Sequence, residues 1–203
     1  MTERKARVAV LVSGGGTNLQ AIIDAERSGV ITNGEVVVVI SSRPDAYALE
    51  RAKNAGIPTA VVSKKEAGSQ KEFEKHIIAE LEKHRTELIV LAGFMSILSA
   101  DFTKRYERRI INVHPSLIPS FCGEGFYGLR VHEAALAKGV KVTGATVHFV
   151  NEIPDGGEII MQKAVSVHDG DTPEKLQKRV MRQAEWKILP AAVEKISKEI
   201  ISK

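Results

Sequence analysis

Near the start of the chain Val8 to Val12 are all apolar, with no polar residue alternating among them, and Ser13 leads at once into Gly14-Gly15-Gly16. Successive side chains in a strand point to opposite faces, so an unbroken apolar run has to be covered on both. That demands a sheet held between helices, which is most simply built from parallel strands linked by helical crossovers. The later segments fit this plan. Leu19 to Ala25 has helical apolar spacing, Val36 to Ile40 reads as a second buried strand, and Ala46 to Asn54 as a helix stopped by Gly56. Thr59 to Val62 reads as a short strand, residues 69–84 as an amphipathic helix with Phe73, Ile77 and Leu81 on one face, and Leu88 to Ala92 as a fourth strand. Ser99 has the character of a helix cap. Further on, Val131 to Lys138 reads as a helix, Thr143 to Val150 and Ile159 to Val167 as strands, and residues 172–200 as mostly helix with a kink or break near Pro190. The fold class expected is α/β, a doubly wound and mostly parallel sheet.

At 203 residues the chain has the length of a single domain, 1–203. The lone cysteine, Cys122, excludes an intrachain disulfide and fits a reducing compartment. The first apolar run is too short for a signal-peptide core and no segment approaches a membrane span, so the expected location is cytoplasmic, with no membrane partner. A net charge of +4, with both signs interspersed, mildly favours anionic ligands but is no nucleic-acid footprint.

Ile110 to His114 reads as a strand cut off by Pro115. Asn112 and His114 then share a face at the carboxyl end of that strand, where open α/β sheets place ligands. An amide donates to a developing oxyanion, and an imidazole can hold or move a proton near neutrality. A polar strand end with a satisfied histidine accounts for these residues equally well. The strand, glycine loop and helix at residues 7–25 suit a phosphate seated on backbone N–H groups. The loop lacks the Lys-Ser/Thr ending of a P-loop, and Leu19 stands where a dinucleotide fingerprint has its third glycine. Ser41-Ser42-Arg43 would suit an NADP 2′-phosphate, which keeps an NADP-binding reductase as a rival; a tight packing turn is the plain alternative. Asp155, between Pro154 and Gly156-Gly157, sits on an exposed turn. His148 lies within a strand, where a hydrogen-bonded core role is common, and His76, His84 and His168 read as surface residues. Cys122 reads as a packing residue, and no residue cluster has metal-ligand spacing.

Taken together, Ser13-Gly14-Gly15-Gly16-Thr17-Asn18, Leu91-Ala92-Gly93-Phe94-Met95, Asn112-Val113-His114-Pro115-Ser116-Leu117 and Asp155-Gly156-Gly157 after Thr146-Val147-His148-Phe149-Val150 are far more specific. In this order the chain resembles the folate-dependent glycinamide ribonucleotide (GAR) formyltransferases, over nearly its whole length. Methionyl-tRNA formyltransferase and formyltetrahydrofolate deformylase share the asparagine, histidine and aspartate but usually add a further domain. The resemblance implies a formyltransferase fold with a Rossmann-like N-terminal half, a nucleotide-binding half at about 1–110 and a catalytic and folate half at about 111–203. It implies formyl transfer from 10-formyltetrahydrofolate, as co-substrate, to the amine of GAR in purine biosynthesis, without a metal, by a monomer or weak homodimer. The catalytic trio falls on Asn112, His114 and Asp155. Asn112 and protonated His114 would stabilise a tetrahedral oxyanion, and Asp155 would raise the His114 pKa and order a proton-carrying water. GAR contacts fall on Gly16, Thr17, Asn18, Arg182 and Glu185. Folate contacts fall on Met95, Ser96, Ile97, Leu98 and Asn112, and His148 and His132 are expected to support the trio from behind. Two departures stand out. Ser96 replaces an arginine that would hold the folate glutamate, and the loop Phe121 to Gly128 is longer than in many relatives, with Arg130 as a candidate substitute contact. A deformylase in which water replaces the amine, and a noncatalytic nucleotide sensor, are the remaining alternatives.

Overall fold

The computed structural model describes residues 4–203. Its strands are β1 (Ala6–Val12), β2 (Gly34–Ser41), β3 (Thr59–Val61), β4 (Leu88–Leu91), β5 (Ile110–His114), β6 (Val142–Phe149) and β7 (Ile159–Ser166). They form one seven-stranded sheet in the order β3-β2-β1-β4-β5-β6-β7. The pairs among β1 to β5 are parallel, and β6 and β7 are antiparallel to their neighbours. No helix separates β6 from β7, so the chain returns directly and the pairing must be antiparallel. The crossovers run through α1 (Thr17–Arg27), α2 (Tyr47–Asn54), α3 (Lys64–Ala67), α4 (Gln70–Lys83), α5 (Ala100–Arg105) and α6 (Leu129–Lys138). The chain ends in α7 (Pro173–Val180) and α8 (Trp186–Ile201).

The unbroken apolar run of β1 is divided between two cores. Val8, Val10 and Val12 pack with Leu19 and Ile22 of α1 and with Leu189 and Val193 of α8. Ala9 and Leu11 face the other way, with Phe73, Ile77 and Leu81 of α4. Helices therefore cover both faces of the sheet, as the strand sequence requires. Leu81 is essentially inaccessible, and truncating such a residue to alanine costs about 2–5 kcal/mol. Because β1 is flanked by β2 on one side and β4 on the other, the loop after β1 lies at the topological switch point.

Serine caps start three helices, Ser63 ahead of α3 and Ser69 and the expected Ser99 ahead of the next two. Ser69 Oγ accepts the Glu72 N–H ahead of α4, and Ser99 Oγ accepts that of Phe102 ahead of α5. The C-terminal irregularity falls earlier than Pro190. A π-helical turn, Met181–Glu185, separates α7 from α8, and Pro190 lies inside α8. Proline lacks an N–H and crowds the carbonyl four residues back, which here is Trp186, where the α-helix restarts. His84 is half-buried rather than exposed; its carbonyl accepts the Arg7 Nε–H at 2.8 Å. Among the described residues no helix is long and apolar enough to cross a membrane.

Candidate active site

The carboxyl end of β5 brings Asn112 and His114 to one face, and Ile111 and Val113 enter the core on the other. Antiparallel pairing sets His148 of β6 opposite Asn112 and Thr146 opposite His114. Asn112 Nδ2 and His148 Nε2 are 3.2 Å apart. His148 Nδ1 lies 2.8 Å from the Phe149 carbonyl, which can only accept, so Nδ1 carries the proton and a neutral ring leaves Nε2 to accept from Asn112. The Asn112 amide is thereby fixed with one N–H free.

Asp155 reaches this face from the turn after β6. Its carboxylate lies 3.4 Å from His114 Nδ1 and 3.5 Å from His148 Nε2. The turn is tight. Asp155 has φ 55°, and a Cβ on Gly157 would lie 1.7 Å from the Phe149 carbonyl oxygen. Only glycine fits there, which is why this aspartate precedes a pair of glycines.

Two backbone contacts of the trio have no signature in the sequence. His114 Nε2 donates to the Phe121 carbonyl at 2.8 Å, and the Gly123 N–H donates to Asp155 Oδ2 at 2.9 Å. The long loop is thus part of the site. Its near end is pinned to the sheet: Thr146 Oγ1 donates to the Ser116 carbonyl and accepts the Ile118 N–H. The spacing of Gly123, Gly125 and Gly128, all with positive φ, was the available hint of a folded loop.

Burial pulls the His114 pKa down, and so does His148; Asp155 and the Phe121 carbonyl oppose this without overcoming it. Asp155 raises His114 as expected, but burial outweighs it and the net direction is below the usual histidine value. For Asp155, burial pushes the carboxyl up, but the Gly123 N–H and the neighbouring His148 and His114 outweigh it, and it sits below the usual value. His132 lies behind the pair, fully buried, with neither ring nitrogen hydrogen-bonded; burial, aided by His114, lowers it to about 4. Cys122 donates to the Pro119 carbonyl, and burial together with Asp155 pushes its thiol up, which disfavours the nucleophilic thiolate.

Gly16, Thr17 and Asn18 form the start of α1. Gly16 has φ 71° and provides no side-chain cap, so the first-turn N–H groups face a prospective anion. Asn18 Nδ2 donates to Glu185 Oε2 at 2.7 Å, so the structure joins these two expected contacts. Glu185 is buried, which raises its carboxyl; Asn18 opposes the shift. A groove of about 600 Å³ continues from Thr17 between α1 and α8, past Arg51, Trp186 and Pro190. Arg182 is apart from these residues: it is exposed and lines a different groove with Lys175 and Lys178.

The segment after β4 is anchored at both ends. The Met95 N–H donates to Ser13 Oγ, Gln70 Nε2 donates to the Ile97 carbonyl, and Glu74 accepts the Ser99 N–H and hydroxyl. Met95 and Ile97 are exposed and Ser96 is half-buried, but Leu98 is buried in the core beside Phe102. Leu98 therefore turns inward, and only its backbone can border a cleft. Arg130 stacks over the Tyr127 ring at 4.9 Å.

The groups that would receive an NADP 2′-phosphate are already engaged. Arg43 makes a two-pronged pair with Asp45, Ser41 Oγ donates to the Arg43 carbonyl, and Ser42 Oγ bonds Ser13 Oγ. Among the described residues no group of three or more histidine, cysteine or carboxylate side chains could hold a metal ion.

Comparison with known proteins adds to this geometry. Residues 6–193 match the family model described as formyl transferase. The chain is 43 % identical over 187 residues to a phosphoribosylglycinamide formyltransferase of Haemophilus influenzae, covering 92 % of this chain and 85 % of that protein. It is 45 % identical over 195 residues to the human trifunctional purine biosynthetic protein adenosine-3, covering 96 % of this chain but only 19 % of the relative's length. Among solved structures, a glycinamide ribonucleotide transformylase 1 from Symbiobacterium toebii superposes with a TM-score of 0.89 at 42 % identity, over 96 % of this chain and 89 % of that one.

Proposed function

The chain belongs to the formyl transferase family, and from that premise we propose that it transfers the formyl group of 10-formyltetrahydrofolate to the amine of GAR in purine biosynthesis. The observation that carries the reading is the convergence of Asn112, His114 and Asp155, from two separate segments, at the carboxyl end of β5. The amine attacks the formyl carbon, and the carbonyl oxygen becomes an oxyanion. The free Asn112 N–H donates to it, and so does His114 from Nδ1, as the imidazolium whose Nε2–H stays on the Phe121 carbonyl; the growing negative charge favours that imidazolium, which burial otherwise disfavours. Asp155, ionised beside His114, orders the water that moves the ammonium proton toward the departing folate nitrogen. His148 holds the Asn112 amide in its donating orientation.

On this reading the GAR phosphate sits on Gly16, Thr17 and Asn18, and Glu185 takes the ribose hydroxyls. Arg182, exposed on its own groove, attracts the phosphate without lining that site. Met95, Ser96, Ile97 and the backbone at Leu98 border the folate. The chain acts as one domain, 1–203, with nucleotide residues mainly in about 1–110 and the catalytic and folate residues in about 111–203; Glu185 crosses that divide. It works in the cytoplasm, as a monomer or weak homodimer, without a metal. The test measures 10-formyltetrahydrofolate consumption with and without GAR. Consumption that requires GAR supports the transferase; equal consumption without it identifies a deformylase and overturns the reading.

A further inference from the structure

Asn18 and Glu185 are separated by most of the chain, yet their side chains meet at 2.7 Å. Asn18 belongs to the first turn of α1, whose backbone would hold a phosphate. Glu185 ends the π-helical turn, and is buried to 6 % exposure. Asn18 is its hydrogen-bond partner in the structure, and the other amide atom, Oδ1, is buried without one. A π-turn inserts one extra residue and rotates the helix beyond it, a device recurrent at functional sites.

We propose that the Asn18 side chain is a positioning residue that acts through Glu185, holding its carboxylate ready for the ribose hydroxyls, rather than a ligand of the phosphate. The inference rests on the nucleotide site proposed above. The physical reason is the cost of a buried carboxylate. A ribose hydroxyl donates best to an ionised acceptor, and an isolated buried carboxyl prefers to stay protonated. The Asn18 N–H is the one group that favours the ionised form. Of the charged groups on its own turn and the flanking helices, Arg179 is paired with Asp171 and Arg182 and Lys187 are exposed; on the strands packed against the turn, Lys163 is exposed and His148 is engaged with Asn112. Without the amide, Glu185 would protonate at higher pH and its grip on the ribose would become pH-dependent. Glu185 is neutral below its pKa and ionised above it, so a defect caused by losing Asn18 is largest at low pH and fades as pH rises.

Steady-state kinetics of wild type, Asn18→Leu, Glu185→Gln and the double variant, from pH 6 to 9, test this. Taking the variant-to-wild-type ratio of GAR KM at each pH cancels titration of GAR itself. Asn18→Leu should raise GAR KM about tenfold at pH 6 and only about twofold at pH 9, with kcat and folate KM little changed. In the Glu185→Gln background, Asn18→Leu should add little and show no pH trend, because residues acting as a unit are not additive. A KM ratio independent of pH, or full additivity with Glu185→Gln, would overturn the inference by making Asn18 a direct phosphate contact or a merely structural residue. Should Asn18→Leu not fold, Asn18→Ser removes the same amide and carries the same test. Wild type that shows no GAR-dependent transfer would instead refute the parent reading, so the two failures are distinct.

Discussion

Replacing Gly16 and Gly15 separately by alanine should separate packing from ligand binding within one loop. Gly16 has φ 71°, and a Cβ there would lie 2.6 Å from Ala48 Cβ and 2.8 Å from Ala48 Cα. Neither is a flexible tip, so α2 itself must move. The left-handed backbone and the forced overpacking together should cost about 2–4 kcal/mol, or roughly 5–15 °C in Tm for a domain of this size. Gly15 has ordinary φ and nothing within 4 Å of its prospective Cβ. Gly15→Ala should therefore change stability by less than about 0.5 kcal/mol while raising GAR KM, because the new methyl group stands on the loop whose backbone N–H groups are proposed to hold the phosphate. Scanning calorimetry gives the first quantity and initial-rate kinetics the second. A Gly16→Ala protein that melts within about 1 °C of wild type would refute the packing argument, since about 1 kcal/mol already moves Tm by 2–4 °C.

His114→Ala, Asn112→Ala and Asp155→Asn should each lower kcat on the order of a hundredfold or more while ligand binding and melting stay near normal; near-normal turnover in folded His114→Ala would remove the proposed mechanism. Ser96→Arg should lower folate KM several-fold, with kcat unchanged and the gain eroded by salt, since a new exposed ion pair is worth roughly 1 kcal/mol; an unaltered KM would mean that another group already holds the folate tail. His132, held at about 4 in the fold against its ordinary 6.5, takes up a proton in the unfolded chain first, so it withdraws stability as pH falls from about 6.5 to 4. His132→Leu should flatten Tm against pH across that window, and an unchanged slope would place the acid sensitivity elsewhere.

β1, β2 and β4 were legible because their residues are apolar on both faces, a pattern helices of this length rarely show. The trio was legible through local spacing: alternation puts Asn112 and His114 together, and Asp155 is marked by the glycines that its turn requires. The hidden features depend on contacts remote in sequence. Nothing near Gly16 announces Ala48, and Asn18 gives no sign of Glu185. Leu98 looks like part of an exposed cleft wall until α4 and α5 close over it. The Phe121 carbonyl and the Gly123 N–H are backbone groups, and any residue would supply them. α3 is only a single turn, too short to generate periodicity.

The polar face of the site depends on the apolar face behind it. On β5 and β6, Asn112, His114, Thr146 and His148 make two cross-strand pairs on one side, and Ile111, Val113, Val147 and Phe149 enter the core on the other. A one-residue slip of β5 would exchange the two sets, because side chains alternate with a period of two. It would push an amide and an imidazole into an apolar core at several kcal/mol each when unsatisfied, and would expose two aliphatic side chains. The register is therefore strongly fixed, and with it the 3.2 Å contact of Asn112 with His148. Asp155 needs no comparable strand, because the tight turn at Gly156-Gly157 and the Gly123 N–H hold it. Two groups ride on the most rigid part of the sheet and the third arrives on a strained turn. The geometry of the proposed oxyanion donors is thus set by core packing, while that of the proposed acid–base partner is set by a loop that the backbone of residues 121–123 must close.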